Sequence, residues 1–127
     1  MSESLELTVS LKQNGQELTN LGFPLNKRIT VDEVQSFGPT EEADDTNDTT
    51  FSQIPVDEVA SVKAFVYQAI DQALGVRIEG GEATNVAVRL DAGGILIAFG
   101  ATITATNITV NNNSGSTAKQ RGLAGGT

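Results

Sequence analysis

Apolar and polar residues alternate at the start of the chain, where Leu5, Leu7, Val9 and Leu11 are separated by Glu6, Thr8 and Ser10. A period of two predicts a strand with one face buried and one in water. Asn14-Gly15 follows, a pair that tolerates positive φ at both positions and so favours a type I′ turn. The pattern predicts a hairpin returning from Gln16 toward Leu21. After a break at Phe23-Pro24, Lys27 to Phe37 reads as another strand, with Ile29 and Val31 on one face. Val34 falls out of phase with them, which places a bulge or bend near Asp32-Glu33. Phe51 to Val56 reads as a short edge strand limited by Pro55.

Two periods compete between Val56 and Gly75. As a helix, the segment has Asp57 as N-cap, Glu58 in its first turn and Gly75 just past its end. Val59, Val62, Val66, Ile70 and Leu74 then form a stripe at near-helical spacing. As a hairpin, Val62 to Ile70 and Leu74 to Glu79 are strands joined by Asp71-Gln72-Ala73. Pattern alone puts the helix ahead.

The second half is plainer. Val86, Val88 and Leu90 alternate with Ala87 and Arg89, and Asp91-Ala92-Gly93-Gly94 is a turn signal. Ile95 to Phe99 and the Thr/Ile-rich Thr102 to Val110 favour pleated structure. Asn111 to Gly115 reads as a turn and Ser116 to Arg121 as a last strand. Gly122 to Thr127 offers little to bury and reads as mobile. Short strands with turns every 8 to 12 residues predict an all-β sandwich of jelly-roll type.

Composition narrows the function classes. The 127 residues suit one domain, 1–127, with a modest core. A small protein with a lean core often gains stability by association. The net charge of −8, from 16 acidic and 8 basic residues, repels phosphate and argues against direct nucleic-acid binding. There is no Cys and no His, which removes disulfides, thiolate metal sites and the usual general base at neutral pH. No apolar run approaches the roughly 20 residues that span a bilayer, and the acidic start is unlike a signal peptide. The expectation is a protein made and used in the cytoplasm without export, with no membrane partner.

With these elements placed, the chain resembles small jelly-roll-like structural proteins of tailed-phage virions. LELTVSLKQNG is similar to their N-terminal strand and tight turn. ITVDEVQSFGPTEEADD is similar to a strand entering an acidic loop. AFVYQAID and LGVRIEG resemble a paired set of strands, VAVRLDAGGILIAF a strand, hairpin and strand, and ATITATNITV the closing strands. The resemblance covers about Leu5 to Val110 in pieces. It moves the hairpin ahead of the helix at 56–75 and leaves one short helix there as the open alternative. It implies a structural role without catalysis: a capsid cement or decoration protein on the outside of the shell. Its partners would be the major capsid protein and further copies of itself, as a dimer or trimer.

Candidate site residues follow from charge. The 38–50 segment reads as an acidic surface loop, with Glu41, Glu42, Asp44 and Asp45 among its carboxylates. A solvated loop is the ordinary reading. A Ca²⁺ site is the sharper one, but the EF-hand pattern is absent. Docking against a basic ridge on a capsid subunit is the more attractive functional reading. The 112–127 segment reads as a flexible C-terminal arm whose Lys119 and Arg121 meet a neighbouring subunit by strand addition, a role open to Met1 to Leu11 as well. Glu79, Glu82 and Asp91 sit at turns, where carboxylates are common without catalysis, and the Ser and Thr residues lack a His to activate them. Phe65, Tyr67 and Phe99 read as core, and Arg77 and Arg89 as partners in surface ion pairs. No catalytic residue, metal or cofactor is expected. The alternatives are a neck, tail or fibre-attachment protein, and a host-glycan-binding β module; the absence of Trp and the single Tyr weigh against the last.

Overall fold

A computed structural model describes residues 2–43, 51–56, 58–80 and 84–127. Twelve strands are described: β1 (Glu3–Val9), β2 (Lys12–Gln13), β3 (Gln16–Glu17), β4 (Leu25–Val31), β5 (Glu33–Glu42), β6 (Ser52–Gln53), β7 (Ser61–Ala69), β8 (Leu74–Gly80), β9 (Thr84–Leu90), β10 (Ile95–Thr104), β11 (Ile108–Asn111) and β12 (Ala118–Gly126). Among the described residues the helical pieces are two short 3₁₀ turns, Thr19–Leu21 and Ala105–Asn107.

The last eight strands form two four-stranded antiparallel sheets, in the orders β10-β7-β12-β5 and β6-β11-β8-β9. Their pairing is nested: β5 with β12, β6 with β11, β7 with β10 and β8 with β9. One long hairpin, folded over so that alternate strand pairs fall in opposite sheets, produces this order. It is the jelly roll expected from the sequence.

The core lies between the sheets. Phe65, Tyr67 and Ala69 of β7 meet Leu74 and Val76 of β8 and Ile108 and Val110 of β11, all buried. Phe65 and Tyr67 stack with centroids 5.9 Å apart, and Phe37 packs on Tyr67 at 6.3 Å. The Tyr67 hydroxyl donates to Gln120 Oε1 at 2.7 Å, so neither buried polar group is left unpaired. Burial, and secondarily the negative charge of Glu42, pushes the Tyr67 phenol well above its ordinary range.

The helix pattern at 56–75 is overruled. β7 is central in one sheet and β8 in the other, and along each the inward positions alternate with half-buried outward ones: Phe65, Tyr67 and Ala69 against Val66 and Gln68, and Leu74 and Val76 against Gly75 and Arg77. Their apolar density imitates a helical stripe. Nor do β7 and β8 make a hairpin, because Ile70 to Ala73 crosses between sheets. The same holds for β9 and β10: the Asp91–Gly94 turn is a crossover, anchored by Gly93 N–H to Ala69 O and Ala69 N–H to Gly94 O. The predicted 102–110 strand is divided too. β10 runs through a register break after Phe99 to Thr104, and β11 begins in the opposite sheet.

The first four strands stand apart as an arm. Asn14 (φ 52°) and Gly15 (φ 80°) form the expected turn, but it joins only β2 to β3. The true partner of β1 is β4, with Leu5 opposite Ile29 and Val9 opposite Leu25. The expected bend at Asp32-Glu33 is where the chain leaves the arm for the sandwich.

The expected flexible arm at 112–127 is corrected by β12, which lies between β7 and β5 as a central strand. Its glycines serve close approach. A Cβ on Gly122 would lie 2.4 Å from Val66 O, and one on Gly126 would lie 1.7 Å from Ser61 O. The end is fastened on both sides: Asp32 N–H donates to Gly126 O, and Ala60 and Ser61 N–H both donate to Thr127 O. The expected loop at 38–50 is corrected in part, because β5 continues to Glu42 in the ladder with β12. Residues 44–50 lie outside the described residues.

Candidate functional site

Side-chain alternation divides the β10-β7-β12-β5 sheet into an inner face, which joins the core, and an outer face. The outer rows follow from the register: Phe99, Ala64, Gly125 and Val34; then Ile97, Val66, Leu123 and Ser36; then Ile95, Gln68 and Arg121. An outer face built from Ile, Val, Leu and Phe is unusual, since the solvated side of an antiparallel sheet is normally polar. Ile95 is 59% exposed and Ile97 42%. Beside them is a shallow apolar hollow of about 350 Å³ lined by Phe37, Val66, Ile95, Gly122 and Leu123, with Gln68 and Arg121 at its edge.

The arm covers one end of this face. A Cβ on Gly125 would come within 2.5 Å of Leu5 Cδ1, and one on Gly100 within 3.5 Å of Lys27 Cε. Leu5, Leu7, Val9, Ile29 and Leu25 share the arm's apolar side, because residues directly opposite in an antiparallel ladder project to one side. Glu6 and Arg28 lie on the other side, where Arg28 Nη2 meets Glu6 Oε2 at 2.6 Å. The apolar side is only partly covered. Leu25 is 48% exposed, and Leu11 (46%) and Leu21 (63%) add to it near the tip. A two-stranded ribbon is marginal in water by itself.

Glu41, Lys119 and Arg121 fall at the margin of the outer face, while Glu42 is on the inward side of the same ladder. Glu41 lies directly opposite Lys119, and Glu42 opposite Ala118. Arg121 Nε donates to Gln68 Oε1 at 2.7 Å, which holds its head over the sheet beside the hollow. The acidic and basic candidates, read as separate loop and tail, are thus neighbours in one ladder. Asp44 and Asp45 lie outside the described residues. The outer face thus has an apolar centre and a charged margin. The sequence signal was present in the alternation of Ile95, Ile97 and Phe99, but which side faced the core depended on pairing with β7. Phe99, expected in the core, lies on the outer face.

Behind the margin, Asn112 fixes the β11–β12 turn. It is 1% exposed; its Nδ2 donates to Glu42 O at 2.9 Å and Ser116 O at 2.7 Å, while Oδ1 accepts from Ser114 N–H and Oγ. The turn expected at 111–115 is therefore bonded to the end of β5, and this hub sets where the ladder stops.

The opposite sheet carries a separate open groove of about 340 Å³. Gly75 lies on its floor, with Phe51, Arg77, Arg89, Asn111 and Asn113 around it. The Arg77 guanidinium lies 3.8 Å from the Phe51 ring centroid, and its Nε is 2.9 Å from Glu79 Oε1. Arg89 donates to Asn113 Oδ1. The surface pairing expected for the two arginines is met at Arg77 by Glu79 of its own strand, whereas Arg89 uses a neutral amide.

Among the described residues, no group of three carboxylates lies together to hold a metal, and no helix is long and apolar enough to cross a membrane. Compared with protein-family models, with curated proteins and with solved structures, the chain matches none.

Proposed function

We propose that this chain is a structural protein of a bacteriophage particle, a capsid cement or decoration protein that bridges major capsid subunits from the outside. The observation that carries the reading is the pairing of a rigid jelly roll with an arm and an outer sheet face that leave Leu21, Leu25, Ile95 and Ile97 in water. Large exposed apolar patches on a small domain mark surfaces meant to be covered. In this account the arm and the sheet face join copies into a dimer or trimer, closed by symmetry. The oligomer then seats on the shell, with Glu41, Lys119 and Arg121 choosing the register through complementary charge. Many weak contacts repeated over a shell sum to a strong total through avidity.

A neck, tail or fibre-attachment role would use the same surfaces, and copy number separates the two. The test is quantitative mass spectrometry of purified particles. A cement protein is present in numbers comparable to the major shell protein and its removal lowers the force or temperature at which shells open. A few copies per particle favour the neck or tail, and absence from particles ends both readings.

A further inference from the structure

We propose that the groove on the outer side of the β6-β11-β8-β9 sheet binds a sugar ring bearing a carboxylate, with Arg77 and Arg89 taking the acid group. The two sheets of a sandwich turn their outer sides in opposite directions, so this site remains open when the other side is covered by an assembly partner.

The chain carries −8 overall, yet among the described residues the groove is lined by two guanidinium groups, with one carboxylate, Glu79, against Arg77 Nε. Register explains the convergence. Gly75 of β8 lies between Arg89 on β9 and Asn111 on β11, and Arg77 follows two residues later on the same side. The stack on Phe51 fixes the plane of the Arg77 guanidinium. Glu79 sits close to its Nε, but without the alignment of a hydrogen bond, and that buried N–H has no other acceptor. Arg89 spends one donor on Asn113 and retains others. Two planar donor forks, one of them held against a ring, are suited to a carboxylate.

A bare anion would leave most of the groove empty. A volume of about 340 Å³ is at the small end of ligand sites, which run from about 300 to 1,000 Å³, and suits a single ring. The amide of Asn113 is of the kind that exchanges hydrogen bonds with hydroxyls, and Phe51 supplies an apolar edge for the ring's C–H face. Gly75 makes the room: no atom lies closer than 3.7 Å to a Cβ built there, so a larger side chain enters the groove without touching backbone at short range.

The test is NMR titration of the full chain with glucuronate, glucose, acetate and inorganic phosphate. The expected result is saturable shifts at Gly75, Arg77 and Arg89 with glucuronate, and affinities at least about tenfold weaker for the other three, since each lacks the ring or the carboxylate. Gly75→Val, which fills the floor, and Arg89→Gln, which removes one fork, should each weaken glucuronate at least about tenfold while the spectrum elsewhere stays that of the folded protein. If Gly75→Val disturbs the fold, Arg89→Gln alone decides. No saturable response to glucuronate, equal affinity for acetate or phosphate, or binding unaffected by Arg89→Gln would overturn the proposal. None of these outcomes bears on copy number in particles, so the site and the assembly role fail separately.

Discussion

β12 and β1 sit at opposite ends of the chain and in opposite environments. β12 carries Gly122, Gly125 and Gly126, yet Ala124, Gly125 and Gly126 are buried and the strand is laddered on both sides. β1 carries Leu5, Leu7 and Val9 in strict alternation, yet it has one ladder partner and no residue of it is fully buried. Burial here is decided by position in the sheet order and not by the hydrophobicity of the strand itself. A central strand flanked by bulky neighbours has space for backbone only, and glycine meets that requirement. The ribbon at the margin keeps an apolar side that the sandwich covers only in part.

The comparison is broken most severely at Gly126. Gly126→Val places side-chain atoms against the Ser61 carbonyl, where backbone cannot yield. The expected outcome is loss of the cooperative thermal transition, a far larger effect than any single change in the arm. Next is the turn before β12. Asn112→Ala removes the donor to the Glu42 carbonyl and the acceptor of the Ser114 N–H, leaving the Ser116 carbonyl only Ser114 Oγ, and should cost about 1–3 kcal/mol by denaturant titration. An unchanged midpoint would show that water replaces the amide.

A milder probe of the same core is alkaline titration. Tyr67 is the only tyrosine, so phenolate absorbance reports it alone. Its ordinary midpoint is about 10, and burial raises it in the folded chain. The neutral phenol is thus favoured by folding. Its contribution to stability is fully present below about pH 10 and is lost as pH rises beyond that toward the folded-state value. Absorbance should therefore rise only together with unfolding. An ordinary, reversible titration of folded protein would place Tyr67 outside the core.

Much of the fold was legible because period and turn chemistry are local. The alternation of Leu5 to Leu11, the Asn14-Gly15 turn and the Asp91 to Gly94 break all mark real boundaries, and their number and spacing sufficed for a jelly roll. Pairing is not local. Nothing within Leu5 to Leu11 says that its partner is Leu25 to Val31 across a 3₁₀ turn, nor does Ile70 to Ala73 say that it crosses between sheets. The helical stripe from Val59 to Leu74 arose because Val66, on the outer face of β7, is as apolar as the core residues beside it, which hides the period of two. The site was half legible for the same reason. Glu41, Lys119 and Arg121 were singled out by charge, but their adjacency needed the β5–β12 ladder, and Arg77 and Arg89 line one groove only because β8 pairs with β9 and Gly75 carries no side chain there.

The arm supplies the smallest effect on stability and the most direct test of the account, whose central claim is that its uncovered apolar side joins copies of the chain. Leu21→Ser combined with Leu25→Ser changes two exposed side chains and should move the melting transition little, by about 0.5 kcal/mol or less per site. Sedimentation of both proteins is the measurement. The account predicts that the parent chain sediments as a closed dimer or trimer and the double variant as a folded monomer; a monomeric parent, or a variant with the parent's oligomeric state, would contradict it.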